Sequence, residues 1–316
     1  MGLAFLVTLT LSVLAAAALT TAQPRGNLPL VGVLEPLHQK RPAGCMVNFQ
    51  QGLRDLGYIE GQTILLDYRY AESQPIRLPA LAAELVRRTP DVLWTHSDAA
   101  AQAAKQATST IPIVVGLAID LVQLGLVKSV ARPGGNLTGL ELRPVELAGK
   151  RLELFKAAVP TITRVAVLVD PAYTVHANLP SAIEREARAL GVQLQRAEVG
   201  APEGFEAAFA AMVRNRADAL MIMESALLGT HREQIMALAL RHRLPTMGYG
   251  RNYTEAGALL SYGADVREMC VRSAVLVHKI LNGAKPADLP IEQAHKFPLS
   301  VNLKTAKMLR VTIPPS

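Results

Sequence analysis

"DVLWTHSDAAAQAAKQATSTIPIVV", Asp91 to Val115, holds a complete structural unit. A β-rich apolar run, Asp91 to Thr95, leads into three short polar residues. An Ala-rich stretch with helical spacing follows from Asp98 to Thr108. A second apolar run, Ile111 to Val115, closes the unit. Strand, helix, strand over so little chain is the pattern of a parallel pair joined by a crossover helix. The same alternation recurs on either side of this stretch, and that repetition decides the fold class.

Upstream, Leu30 to Leu34 reads as a strand and Pro42 to Leu56 as a helix, with Met46, Phe49, Leu53 and Leu56 on one face. Pro42 suits its first turn and Gly57 its C′ position. Thr63 to Tyr70 is a strand and Leu78 to Arg88 a helix. Downstream, Leu121 to Ala131 has a helical pattern that starts at Asp120 and stops in the turn formers Arg132 to Asn136. Leu137 to Leu142 is a short strand. A helix from Val145 to Ala158 opens a second series. Strands are expected at Arg164–Val169, Val192–Val199, Ala219–Met223, Pro245–Tyr249 and Ala258–Tyr262. Helices are expected at Leu179–Leu190, Pro202–Asn215, Arg232–Arg241 and Asp265–Leu281. The tail reads as a connection, a strand and a short helix capped by Asn302. Repeated βαβ units demand a parallel sheet covered on both faces. The blocks at about 29–142 and 143–257 therefore predict an α/β protein of two doubly wound parallel-sheet lobes.

Composition agrees. The chain has 316 residues, half of them hydrophobic, enough for two domains with ample cores. The 33 Lys and Arg exceed the 26 Asp and Glu, but they are scattered without a basic block. Interleaved aromatic and basic residues are also missing, so the charge reads as a solvated surface and no nucleic-acid partner is expected. The two cysteines, Cys45 and Cys270, form no CxxC. Both fall in apolar helical patterns and read as two buried thiols, although an oxidising compartment would permit a bridge.

The first 26 residues, "MGLAFLVTLTLSVLAAAALTTAQPRG", have an apolar run followed by small residues. That fits a secretory signal peptide, residues 1–22, cleaved after about Ala22. No Lys or Arg precedes the run, and an uncleaved anchor is the alternative. No Cys follows it, so no lipid attachment is expected there. A periplasmic location is the expectation.

In open α/β sheets ligands bind beyond the carboxyl ends of the strands. Glu35 follows the first strand. Thr95, His96, Ser97 and Asp98 follow the third. Asp120 lies beyond Ile111–Val115. In the second block Asp170 and Tyr173 follow one strand, Glu224 another, and Tyr249 a third. Glu35, Thr95, Ser97, Asp98, Asp120, Asp170, Tyr173, Glu224 and Tyr249 are thus the candidate ligand contacts. Most have a plainer reading. Ser97, Asp98 and Asp120 suit helix caps, Asp170-Pro171 suits a turn, and the tyrosines suit half-buried positions. Catalytic and cofactor motifs are missing: no GxSxG, no HExxH, no Walker A, no GxGxxG after the first strand. The dispersed histidines predict no metal site. No cofactor and no enzymatic activity are expected.

Several longer phrases carry a resemblance. They include "FQQGLRDLGYIEGQTILLDYRYAE" (Phe49–Glu72), "DLVQLGLVKSVARPGGNLTGL" (Asp120–Leu140), "EAGALLSYG" (Glu255–Gly263) and "KILNGAKPADLPIEQAHKFPLSVNL" (Lys279–Leu303). The sequence resembles the ABC transporter substrate-binding proteins of the tryptophan/aromatic-amino-acid-like group, with a type I periplasmic-binding-protein fold. The resemblance implies two lobes joined by a hinge of three crossings, closing over a small-molecule ligand. It implies an inner-membrane ABC permease as partner and a monomer. By its pattern the third crossing lies near Leu281 to Pro290. Lobe 1 would comprise 29–142 plus about 258–283, and lobe 2 would comprise 143–257 plus about 284–316. Cys45 and Cys270 would then share a lobe, which favours a disulfide more than the residues alone do. The chain departs from the group at Glu35–His38, Thr95–Asp98 and Asp170, a more acidic set that fits a cationic or polyhydroxylated solute as well as an amino acid. The alternatives are a hydrolase or isomerase on a similar fold, which needs a nucleophile–base pair in the cleft, and a sensor ectodomain.

Overall fold

The computed structural model describes residues 28–38, 44–142, 147–172 and 181–313. The expected signal peptide and Tyr173 lie outside them, as do the expected helix starts at Pro42, Val145 and Leu179.

The first series runs β1 (Leu30–Glu35), α1 (Gly44–Asp55), β2 (Leu65–Tyr70), α2 (Leu78–Arg87), β3 (Val92–Thr95), α3 (Asp98–Ala107), β4 (Ile113–Ala118) and β5 (Leu137–Glu141). The second runs α4 (Ala148–Ala158), β6 (Arg164–Val169), α5 (Ser181–Leu190), β7 (Gln193–Glu198), α6 (Phe205–Arg214), β8 (Ala219–Ile222), α7 (Ala226–Thr230), α8 (Arg232–Arg241), β9 (Thr246–Gly248), α9 (Arg251–Ala256) and β10 (Leu260–Tyr262). The chain ends with α10 (Val266–Leu281), β11 (Glu292–Gln293), β12 (Leu299–Val301) and α11 (Leu303–Leu309).

Among the described residues two six-stranded sheets result, ordered β2-β1-β3-β4-β5-β11 and β7-β6-β8-β9-β10-β12. Every pairing is parallel except β10 with β12. The central strands are apolar on both faces because helices cover both. In the first sheet Val31, Val33 and Trp94 face α1 and α10, while Leu34, Leu93 and Val115 face α2 and α3. Trp94 stacks on Phe49 with ring centroids 4.2 Å apart, and its Nε1 donates to Ser273 Oγ at 2.9 Å, so its one polar atom is satisfied in the core. A Cβ at Gly116 would come within 2.8 Å of that indole ring, so the ring needs glycine at this point of β4.

The two-lobe, doubly wound expectation holds, and three details differ. The expected helix Leu121–Ala131 is a run of turns. Gly125 takes φ +70°, which a helix cannot continue through, and the Leu121 N–H goes to the Glu141 carboxylate at 3.3 Å. Two short helices, α7 and α9, stand where loops were expected. Cys45 and Cys270 are joined by a disulfide rather than left as thiols. The bridge ties α1 to α10 across 225 residues of sequence, where the two helices pack against each other in the first core.

The last third also divides differently from the expectation. β10 pairs with β9, so it belongs to the second sheet although 258–283 was expected in lobe 1. β11 pairs with β5, so it belongs to the first sheet although 284–316 was expected in lobe 2. Among the described elements the chain passes between the sheets three times: between Glu141 and Ala148, between Tyr262 and Val266, and between Gln293 and Leu299. The third passage lies beyond the expected Leu281–Pro290, because the polar pair Glu292-Gln293 adds an edge strand before the chain leaves.

Candidate functional site

In each sheet the strand order reverses beside the first strand of its series, between β1 and β3 and between β6 and β8. Adjacent crossover loops diverge there and leave a crevice beyond the carboxyl ends. The first passage leaves the carboxyl end of β5. It enters α4, which precedes the parallel strand β6 and so starts on the carboxyl side of the second sheet. The second passage leaves the carboxyl end of β10. Both therefore join the sheets on the carboxyl sides of their parallel strands.

At the first crevice Glu35 closes β1 and His96 follows β3. Glu35 is fully buried, and its carboxylate lies 3.0 and 3.1 Å from His96 Nε2 and accepts the Leu37 N–H at 3.0 Å. Glu35 is thus covered by His96, and the imidazole is the group nearer the crevice. Thr95 is buried and spent on the Leu34 carbonyl at 2.8 Å. Ser97 caps α3, its Oγ accepting from Ala100 N, and holds φ +83°, a strained setting for a serine. Asp98 accepts the Ile119 N–H at 2.9 Å, which ties the start of α3 to the exit of β4. Burial pushes the Asp98 carboxyl up to about 6; the Ile119 N–H opposes this and the charge of Asp120 adds to it. Asp120 accepts the N–H groups of Val122 and Gln123 at 3.1 and 2.9 Å, so it caps a turn and not a helix.

At the second crevice Asp170 is buried and accepts the Ala172 N–H at 3.0 Å, the turn that Asp-Pro suggests. Glu224 follows β8 and forms a buried ion pair with Arg151 of α4. Arg151 Nε also donates to the Tyr262 carbonyl at 2.7 Å, at the last residue before the second passage. The Tyr249 hydroxyl lies 3.4 Å from the Ser225 carbonyl. Burial pushes that phenol up to about 12, with the Glu224 charge adding and Arg151 opposing. Leu142, Leu147, Arg151, Glu224, Tyr249, Ala264 and Val266 line one recess where the first two passages meet the second sheet. Gly263 sits beside it, and a Cβ there would fall 1.8 Å from the Tyr249 carbonyl oxygen.

The fold therefore gathers Glu35, Thr95, Ser97, Asp98 and Asp120 at one crevice and Asp170, Glu224 and Tyr249 at the other. Sequence reasoning missed Arg151. A signal was available: Arg151 interrupts the apolar stripe Ala148, Leu152, Phe155, and an arginine on a buried stripe needs a buried acid. His96 was in view but was not chosen. Among the described residues no group of three His, Cys, Asp or Glu is placed to hold a metal ion.

Residues 31–316 match the family described as ABC transporter substrate binding protein, and the chain belongs to it. A tyrosine-binding protein of Clostridioides difficile is 24% identical over 261 residues, 83% of this chain and 75% of that one. A crystal structure of a conserved domain protein from Vibrio cholerae is 28% identical, with TM-score 0.81 over 90% of this chain and 96% of that one. An ABC domain from Streptococcus pneumonia in complex with L-Trp is 23% identical, with TM-score 0.82 over 91% of this chain and 96% of that one.

Proposed function

We propose that this chain is the periplasmic solute receptor of an ABC importer, and that its ligand is an amino acid held between two lobes. The carrying observation is the placement of both crevices. Each lies at a reversal of strand order, each carries buried acid–base chemistry, and two of the three passages join the sheets on that side. Lobe 1 would comprise the first sheet with α10 and β11, and lobe 2 the second sheet with β12 and α11. The three passages form the hinge. Closure brings His96, Ser97, Asp98 and Asp120 toward Asp170, Glu224 and Tyr249, and binding selects the closed form. The tyrosine-binding relative and the L-Trp-bound neighbour favour an amino acid over the polyols and cations that the acidic residues alone would admit.

Such a receptor delivers its ligand to a membrane permease and leaves it chemically unchanged. Export would follow from the apolar N-terminal segment. Among the described residues no helix is long and apolar enough to cross a membrane. The test is a thermal-shift and calorimetric screen of residues 23–316 against amino acids, polyamines, sugars and small carboxylates. A ligand of the native state raises the melting temperature by mass action. A shift confined to amino acids, with the ligand recovered intact, is the expected result. Consumption of the ligand would replace the receptor reading with an enzymatic one.

A further inference from the structure

The recess at the hinge contains an unmet demand. Arg151 is 1% exposed and Glu224 2% exposed, so water reaches neither freely. Two of the three guanidinium nitrogens are occupied, Nε by the Tyr262 carbonyl and Nη2 by Glu224. Nη1 has no acceptor among the described residues, and neither Glu224 oxygen accepts a hydrogen bond beyond its pairing with Arg151. A buried donor left without a partner costs free energy, and native folds rarely tolerate one outside a site. Both residues line the recess together with Tyr249 and segments of the first two passages.

We propose that this recess takes the zwitterionic head group of the ligand, its carboxylate accepting from Arg151 Nη1 and its ammonium donating to Glu224. This deepens the amino-acid reading and rests on it. The argument is one of charge. Arg151 and Glu224 already neutralise each other, so the recess as a whole is neutral. A solute bringing one uncompensated charge would bury it without a counter-charge. A zwitterion brings one of each and extends the pair to a four-charge ring. The recess therefore discriminates by head group, whatever side chain the rest of the cleft accepts. It also lies against both passages, through Leu142 and Leu147 of the first and Ala264 and Val266 of the second, so filling it and closing the hinge are one event.

The test compares, by calorimetry on residues 23–316, the best-binding of the twenty amino acids with its decarboxylated amine and its deaminated acid. Each analogue is expected to bind about 10- to 100-fold more weakly, the worth of one charge-assisted hydrogen bond. The double variant Arg151→Met with Glu224→Gln removes both charges at similar volume. It is expected to bind all three within about 3-fold of one another. Should it fail to fold, Glu224→Gln alone is expected to lose discrimination against the deaminated acid while keeping it against the amine. Equal binding of the three probes by the wild type overturns the head-group assignment and leaves the receptor reading standing. So does wild-type discrimination in a folded double variant. A screen in which no amino acid binds overturns the amino-acid reading and this assignment with it.

Discussion

The His96 imidazole covers the Glu35 carboxylate at 3.0 Å, joining the last residue of β1 to the first residue after β3 across the reversal of strand order. The pair sits at the base of a crevice, with Glu35 shut off from solvent. Removing one partner strands the other. His96→Ala is expected to lower unfolding free energy by about 3 kcal/mol, the cost of an unpaired buried carboxylate. His96→Gln, which can still donate, is expected to restore most of it. Urea denaturation measures both, and a neutral His96→Ala would mean that water supports Glu35 unaided.

Asp98 sets a pH dependence whose sign is unusual for a carboxylate. Its folded-state value of about 6 lies above the ordinary value of 3.8, so the folded protein binds the extra proton. Its contribution is present at low pH and is lost as pH rises through about 6. Asp98→Asn keeps an oxygen for the Ile119 N–H and removes the charge. The variant is expected to melt higher than wild type at pH 7.5 and to match it near pH 3.5. A melting-temperature series across that range decides it, and equal melting at pH 7.5 would show the Asp98 carboxylate to be well solvated.

The disulfide holds α10 to α1 at a point where the chain has returned from the second sheet. Reduction, or Cys45→Ser with Cys270→Ser, is expected to cost about 2–5 kcal/mol of stability. Mass spectrometry of the purified protein under non-reducing conditions should find the linked peptide pair. Two free thiols there would remove the bridge from the account.

Gly263 leaves no room for a side chain. A methyl group at that point would overlap the Tyr249 carbonyl, so Gly263→Ala is expected to cost about 1–3 kcal/mol and to weaken ligand binding by shifting the second passage. Gly44→Ala is the control, since nothing lies within 4 Å of a Cβ there. Equal melting curves and affinities for the two variants would place the second passage elsewhere.

How much of this was legible in the sequence depends on the range of the interaction. Strands such as Ile113–Ala118 and helices such as Val266–Leu281 announce themselves because period and burial are local properties. The turns after Asp120 carry the same apolar spacing as a helix, and the deciding facts are a positive φ at Gly125 and a carboxylate twenty residues away. Long-range partners were the harder part. Nothing near Cys45 points to Cys270, nothing near Arg151 points to Glu224, and the edge pairing of Glu292-Gln293 with β5 is visible only once the sheet exists. The candidate residues were found because strand exits are fixed by topology. Whether a given exit residue faces a ligand or spends itself on a backbone N–H, as Asp170 does, is decided by geometry of a few tenths of a nanometre.

The interleaving of the two sheets has a consequence for how the chain comes into being. A polypeptide threaded amino end first presents β1 to β5 early, yet the first sheet lacks its edge strand until residue 293 has emerged. The helix that fills one face of that sheet, and the cysteine that locks it, arrive only after the second sheet has all but its final strand. Neither lobe can be finished while the other is still to come. Maturation is therefore concerted and late, and a chain halted before α10 would leave Phe49, Trp94 and their neighbours uncovered, a surface for holding factors rather than a half-built receptor.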